Sequence, residues 1–146
     1  MKESFRYFLL RVFSYSLNHD VANIIADKAI FKPKTKEELF LAVSTYTEFK
    51  NIAIYKYDFI SRWDTSLIDD MSKLFYRNNI FNEDIGDWDV SNVKCMKEMF
   101  RDTKSFNQDI GRWDVSNVTD MSGMFHNTKS FNQDIGKWNV SKVKNM

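Results

Sequence analysis

Trp113-Asp-Val-Ser-Asn-Val-Thr-Asp-Met-Ser-Gly-Met-Phe125, followed by Phe131-Asn-Gln-Asp-Ile-Gly136, is the phrase from which the fold is read. It recurs along the chain. Tryptophans stand at Trp63, Trp88, Trp113 and Trp138, each 25 residues after the last. Residues 88–112 and 113–137 differ at 7 of 25 positions, and residues 63–87 are more worn. Terminal repeats of an array often are. A fixed period of this length marks small supersecondary units stacked on their neighbours. The recurrent apolar positions are Trp113, Val115, Val118, Met121, Met124, Phe125, Phe131 and Ile135. They can line one layer of a continuous core, but they cannot bury a repeat that stands alone.

The spacing inside one repeat predicts its shape. Val115, Val118, Met121 and Met124 lie three apart, which suits neither a long strand nor a long helix. Val118–Met121 reads as a short strand, paired in parallel with Val93–Met96 and Val143–Met146. Met121–Phe125 reads as a turn or two of helix, and Asn132–Gly136 as the return, with Gly136 taking positive φ. The expected class is therefore α/β: a leucine-rich-repeat-like solenoid of short parallel strands and short helices. A purely β solenoid is the rival.

Working outward, the period fails before residue 60. Residues 1–59 read as an α-helical N-terminal cap, and residues 60–146 as the array, with repeats 63–87, 88–112, 113–137 and a partial 138–146. In the cap, Phe5, Phe8, Leu9, Val12 and Phe13 fall at helical spacing, and Leu17, Val21, Ile24 and Ile25 continue the stripe. Pro33 ends this run. Thr35 and Glu38 then form a capping box for a further helix, with Leu39, Phe40, Val43 and Tyr46 as its apolar face.

Composition narrows the function classes. The 146 residues carry a net charge of +1, so no overall field draws the chain to nucleic acid or anionic lipid. The single cysteine, Cys95, forms no disulfide within the chain. The most apolar stretch, Phe5–Leu17, is too short for a bilayer span and carries Arg6 and Arg11. Glu3 and Arg6 also break the pattern of a secretory signal.

Some polar residues also recur: Asp64, Asp89 and Asp114 after the tryptophans, Ser66, Ser91, Ser116 and Ser141 soon after, then Asn82, Asn107 and Asn132, then Asp84, Asp109 and Asp134. These residue types bond backbone amides in tight turns. The competing reading is calcium held between turns, for which each turn offers too few oxygens. The tryptophans and Met96, Met99, Met121 and Met124 read as core. His19 and His126 have no second ligand at metal spacing. Cys95 has no histidine base beside it in sequence. The expectation is no catalytic residue, no cofactor and no metal.

The phrase Phe-Asn-Gln-Asp-Ile-Gly-x-Trp-Asp-Val-Ser-Asn-Val-Thr-Asp-Met-Ser-x-Met-Phe resembles the BspA-like leucine-rich-repeat surface proteins over residues 60–146. Residues 34–57 resemble the lead-in before such arrays. The resemblance implies a non-enzymatic binding or adhesion role and, for its exported members, the cell surface. This chain shows no clear signal peptide, and Cys95 lies mid-array and not in a lipobox. The cytoplasm is the default expectation.

The expected function is a non-catalytic protein–protein interaction module. A surface adhesin for host matrix or glycan, and a remnant of a longer array, are the alternatives. Binding is sought where repeats differ: Lys94/Thr119, Cys95/Asp120, Lys97/Ser122, Glu98/Gly123, Arg101/His126, Asp102/Asn127 and Arg112/Lys137. The candidate interaction face is Lys94, Lys97, Glu98, Arg101, Asp120 and His126. The expected partner is a protein, with no nucleic acid and no membrane span. The partial repeat at 138–146 suggests end-to-end self-association as a further mode.

Overall fold

The computed structural model describes residues 29–146. The helical stripe expected over residues 4–28 lies outside the described residues.

Helix α1 spans Lys36–Glu48 and α2 spans Lys50–Tyr57; a 3₁₀ turn at Ile60–Arg62 follows. Thr35 caps α1 by accepting from the Glu38 amide at 3.2 Å. Glu38 Oε2 in turn accepts from the Lys34 amide at 2.7 Å, one residue earlier than a standard capping box requires. The buried face of α1 is Leu39, Ala42, Val43 and Tyr46. Phe40, expected among them, is 48% exposed, and Ala42 takes its place.

The two helices close the underside of the first repeat. Trp63 meets Tyr46 edge-on at 5.9 Å, Tyr57 at 6.1 Å and Phe31 at 5.2 Å between ring centroids. Lys36 pairs with Asp70 at 2.9 Å, Lys50 with Glu83 at 2.7 Å and Lys32 with Asp64 at 2.8 Å. Asp58 links the two parts. It is buried, adopts φ 68°, lies 2.7 Å from the Arg62 guanidinium, and accepts the Trp63 indole N–H on its carbonyl at 3.2 Å.

The repeats stack, but not as the α/β solenoid of parallel strands and short helices expected from the spacing. Among the described residues there is no strand, and the only α-helices are α1 and α2. The β-type pairing between successive layers is one isolated parallel bridge each: Asp70 to Cys95, Cys95 to Asp120, Asp120 to Asn145. Where helix was expected at Met121–Phe125, the backbone makes successive turns over residues 122–127.

The hydrogen bonds explain why. In the second layer the amides of Met96, Glu98, Phe100 and Asp102 all donate to the layer above, to the carbonyls of Asp120, Ser122, Met124 and His126, at 2.8–2.9 Å. In the first layer Met71, Lys73, Phe75 and Arg77 do the same toward Cys95, Lys97, Met99 and Arg101. The intervening amides close three-residue turns within their own layer, as from Met99 to Met96 and from Arg101 to Glu98. A β-strand edge alternates donors and acceptors; here one edge carries only donors.

Left-handed backbone at Lys73 and Arg77, at Glu98 and Asp102, and at Gly123 and Asn127 turns the peptide planes this way. Left-handed conformation costs an L-residue roughly 1–2 kcal/mol, so the ladder must offset several such residues.

The interior is a set of vertical columns. Phe75, Phe100 and Phe125 stack at 5.3 and 5.7 Å between centroids, and Phe81, Phe106 and Phe131 at 6.0 and 5.8 Å. Trp63 stacks on Trp88 at 6.2 Å, and Trp113 on Trp138 at 6.4 Å. Trp63, Trp88 and Trp113 are buried, together with Met71, Met96, Met99, Met121 and Met124. The buried indole N–H groups do not go unmet. Those of Trp88, Trp113 and Trp138 donate to the carbonyls of Ile60, Ile85 and Ile110 at 2.8–3.2 Å. Thr103 and Thr128 hydroxyls donate likewise to Phe75 and Phe100 at 2.7 Å. Buried polar groups left unbonded would cost about 1–3 kcal/mol each.

Gly86 and Gly111 serve close approach; only Gly123 among the described glycines takes positive φ. Gly136 does not adopt the left-handed conformation expected of it. A Cβ at Gly86 would lie 2.6 Å from the Asp109 carbonyl oxygen of the next layer, and one at Gly111 2.5 Å from that of Asp134. At Gly136 it would meet only the Asp134 side chain, at 3.1 Å. Gly111→Ala is therefore expected to destabilise the protein by about 1–3 kcal/mol, and Gly136→Ala by no more than about 1 kcal/mol. Urea unfolding followed by tryptophan fluorescence checks this; equal losses would discard the close-approach argument.

Candidate interaction face

The recurrent acids each accept a turn amide through one carboxylate oxygen. Asp64, Asp89 and Asp114 Oδ1 accept the amides of Ser66, Ser91 and Ser116 at 3.0 Å, and Asn139 serves Ser141 at 3.2 Å. Asp84, Asp109 and Asp134 accept from Gly86, Gly111 and Gly136 at 2.9 Å. Asparagines form a third ladder: Asn82 Oδ1 accepts the Asn107 amide, and Asn107 Oδ1 the Asn132 amide, each at 2.9 Å.

These bonds set the titration of the acids. Lys32 and Ser66 together hold the Asp64 carboxyl down at about 2. Ser116 lowers Asp114, and Ser122 lowers Asp120. Burial with Glu83 nearby pushes the Tyr46 phenol up to about 12.

The six face residues expected from repeat variation separate into two groups. Four of them serve the stack. Lys94 pairs with Asp69 of the layer below at 3.4 Å. Glu98 sits half-buried between Lys73 of the layer below, at 3.4 Å, and Arg101, at 2.6 Å. The Arg101 Nε is buried and reaches only to 3.8 Å from Asp102. Asp120 Oδ1 accepts both the amide and the hydroxyl of Ser122, at 2.9 and 2.6 Å.

The remaining two, Lys97 and His126, are exposed, and neither side chain has a hydrogen bond or ion pair among the described residues. Cys95, half-buried at the central bridge, stands where Asp70 and Asp120 accept from a serine in their own layers.

Sequence reasoning missed a groove of about 600 Å³ between α1 and the first layer. Val43 and Phe75 form its buried floor, Phe40 and Ile80 its apolar rim, and Tyr76 and Arg77 its polar side. Ile80 is 77% exposed, and the Arg77 guanidinium lies 5.0 Å above the Tyr76 ring. The signal was present in the worn first repeat. Tyr76, Arg77 and Ile80 replace residues that are Arg101, Asp102 and Ser105 one layer on. A second depression, of about 590 Å³, lies over the third layer among Met121, Phe125, Ile135 and Trp138.

Residues 43–146, most of the chain and all three repeats, match the model of one family. The chain belongs to DUF285, described as a Mycoplasma protein of unknown function. No curated protein and no solved structure matches it. Membership in DUF285 covers the stack and the second half of α1. It does not extend to the leucine-rich-repeat description, because the layers contain neither its strand nor its helix. No helix of the described residues is long and apolar enough to cross a membrane.

The depressed carboxylates give a pH dependence with a definite sign. A folded-state value near 2 against an ordinary value near 4 adds stability that is complete above about pH 4 and is lost as pH falls toward about 2. Asp64→Asn should therefore flatten the fall in urea midpoint over that window. An unchanged slope would show that the Lys32 and Ser66 bonds do not act on folding.

Proposed function

We propose that this chain is a non-catalytic protein-interaction module of the BspA-like kind, and that it binds along the turn edge and the groove beside α1. The observation that carries this is the distribution of unspent side chains. Most of the recurrent carboxylates accept backbone bonds within the stack, and Lys94, Glu98 and Arg101 make ion pairs. Exposed side chains that make no ion-pair contact gather where the turns over 72–77, 97–102 and 122–127 stack: Arg77 beside Tyr76, then Lys97, then His126. Phe40 and Ile80 add exposed apolar surface at the base of that edge.

An apolar cleft with Lys73 and Arg77 on its first-layer side, and Glu48 on its α1 side, suits a protein segment that brings an aliphatic anchor and a carboxylate to the first-layer side. The small net charge supports neither nucleic acid nor a bilayer surface as the main partner. The surface-protein character suggested by the repeat phrase would place that partner outside the cell.

Affinity capture with the purified chain tests the reading. Arg77→Glu with Ile80→Asp should reduce capture of a protein partner by roughly tenfold or more. Lys97→Glu should weaken it less, and Glu37→Lys, in the exposed first turn of α1, should leave it unchanged. Equal capture by all variants would move the binding site elsewhere; no capture under any condition would overturn the binding role.

A further inference from the structure

Core packing cannot tell the second layer from the third. The indole, the paired phenylalanines and the methionines are the same in the second and third repeats, so a chain of such layers can stack in more than one order, or with a second molecule. The charges on the rim do differ. At four repeat positions the first layer carries Asp69, Lys73, Arg77 and Asp87, and the second carries Lys94, Glu98, Asp102 and Arg112. The sign reverses at every one. Three of the reversals are direct pairs: Lys94 with Asp69 at 3.4 Å, Lys73 with Glu98 at 3.4 Å, and Arg112 with Asp87 at 3.0 Å. At the fourth, the charge of Arg77 acts on Asp102. The third layer carries Thr119, Gly123, Asn127 and Lys137 at these positions, so it is neutral at three of the four.

We propose that these four columns are an order code: they select the first layer as the base for the second and reject a second copy of the second layer. Stacked on itself, that layer would place like charges opposite one another in all four columns. Each exposed pair is weak. The code therefore acts on a choice between near-equal arrangements, where small terms decide, and not on total stability. Two of the columns also lie at left-handed backbone positions, where Lys73 and Arg77 in the first layer and Glu98 and Asp102 in the second show that either charge is accommodated.

The test is charge reversal by layer in the full chain. One variant reverses the second layer (Lys94→Asp, Glu98→Lys, Asp102→Arg, Arg112→Asp). Another reverses the first (Asp69→Lys, Lys73→Glu, Arg77→Asp, Asp87→Arg), and a third reverses both. At low salt each single-layer variant, refolded alone, should yield roughly tenfold more misassembled oligomer than the native chain, read by size-exclusion chromatography with light scattering. The variant reversed in both layers should return to the native monomer yield. Refolding the two single-layer variants together should give a mixed dimer, detected by mass, that neither forms alone. About 1 M salt should erase these differences.

Failure of the double-layer variant to recover, with the single-layer variants impaired, would assign the loss to local packing and overturn the code. So would single-layer variants that refold as cleanly as the native chain.

Discussion

Everything in this molecule rests on a row of main-chain amides that all point the same way. Four successive alternate N–H groups in each of the first two layers reach up to four carbonyls of the next, and the amides between them close turns within their own layer. The backbone's polar groups are met within the stack, without strands and without helices. The 25-residue period is the sequence trace of this ladder, because each donor must find its acceptor 24 residues on. Insertion of one residue would throw out of register every pair that spans it.

The ladder fixes the spacing, and the aromatic columns exploit it. Rings repeat every 5.3–6.4 Å up the phenylalanine and tryptophan columns. At that distance stacked rings exclude water without clashing. The same closeness makes Gly86 and Gly111 necessary, since the next layer's backbone passes where a methyl would sit. Thr65 shows how a polar substitution is absorbed. It stands where Val90 and Val115 stand, fully buried, and its hydroxyl donates to the Asp89 carbonyl at 2.8 Å. The helices complete this logic at the lower end, where α1, α2 and Phe31 present aromatic rings to Trp63 in place of a further layer.

Much of this was legible. The tryptophan period announced stacking, the Asp–Ser and Asp–Gly spacings announced side-chain turns, and Thr35 with Glu38 announced the start of α1. What could not be read was the path of the backbone between Met121 and Thr128. Left-handed conformation is visible in sequence when glycine or asparagine takes it, as at Gly123 and Asn127. It is invisible at Lys73, Arg77, Glu98 and Asp102, where ordinary side chains adopt it under the pull of the ladder. The spacing therefore predicts strand and helix for a segment that is neither. Phe40 departs from its expected place in the core for a related reason: helical spacing alone does not say which side of α1 faces the stack.

The positions that differ between repeats carry a similar lesson. Freedom from packing suggested a surface open to partners, yet most of these residues answer to the layer above or below. Glu98 is held by Lys73 beneath it and by Arg101 beside it. Asp102 accepts from Asn127 at 2.6 Å, so this acid and the amide that replaces it one layer up form a pair. Variation in a repeat array thus mixes two kinds of position. Some drift because no hydrogen bond or ion pair holds them; others change in step with their vertical neighbours. Only the first kind can be tuned for a partner without disturbing the stack. On this molecule they are Lys97 and His126 on the turn edge, with the groove residues of the first layer below them.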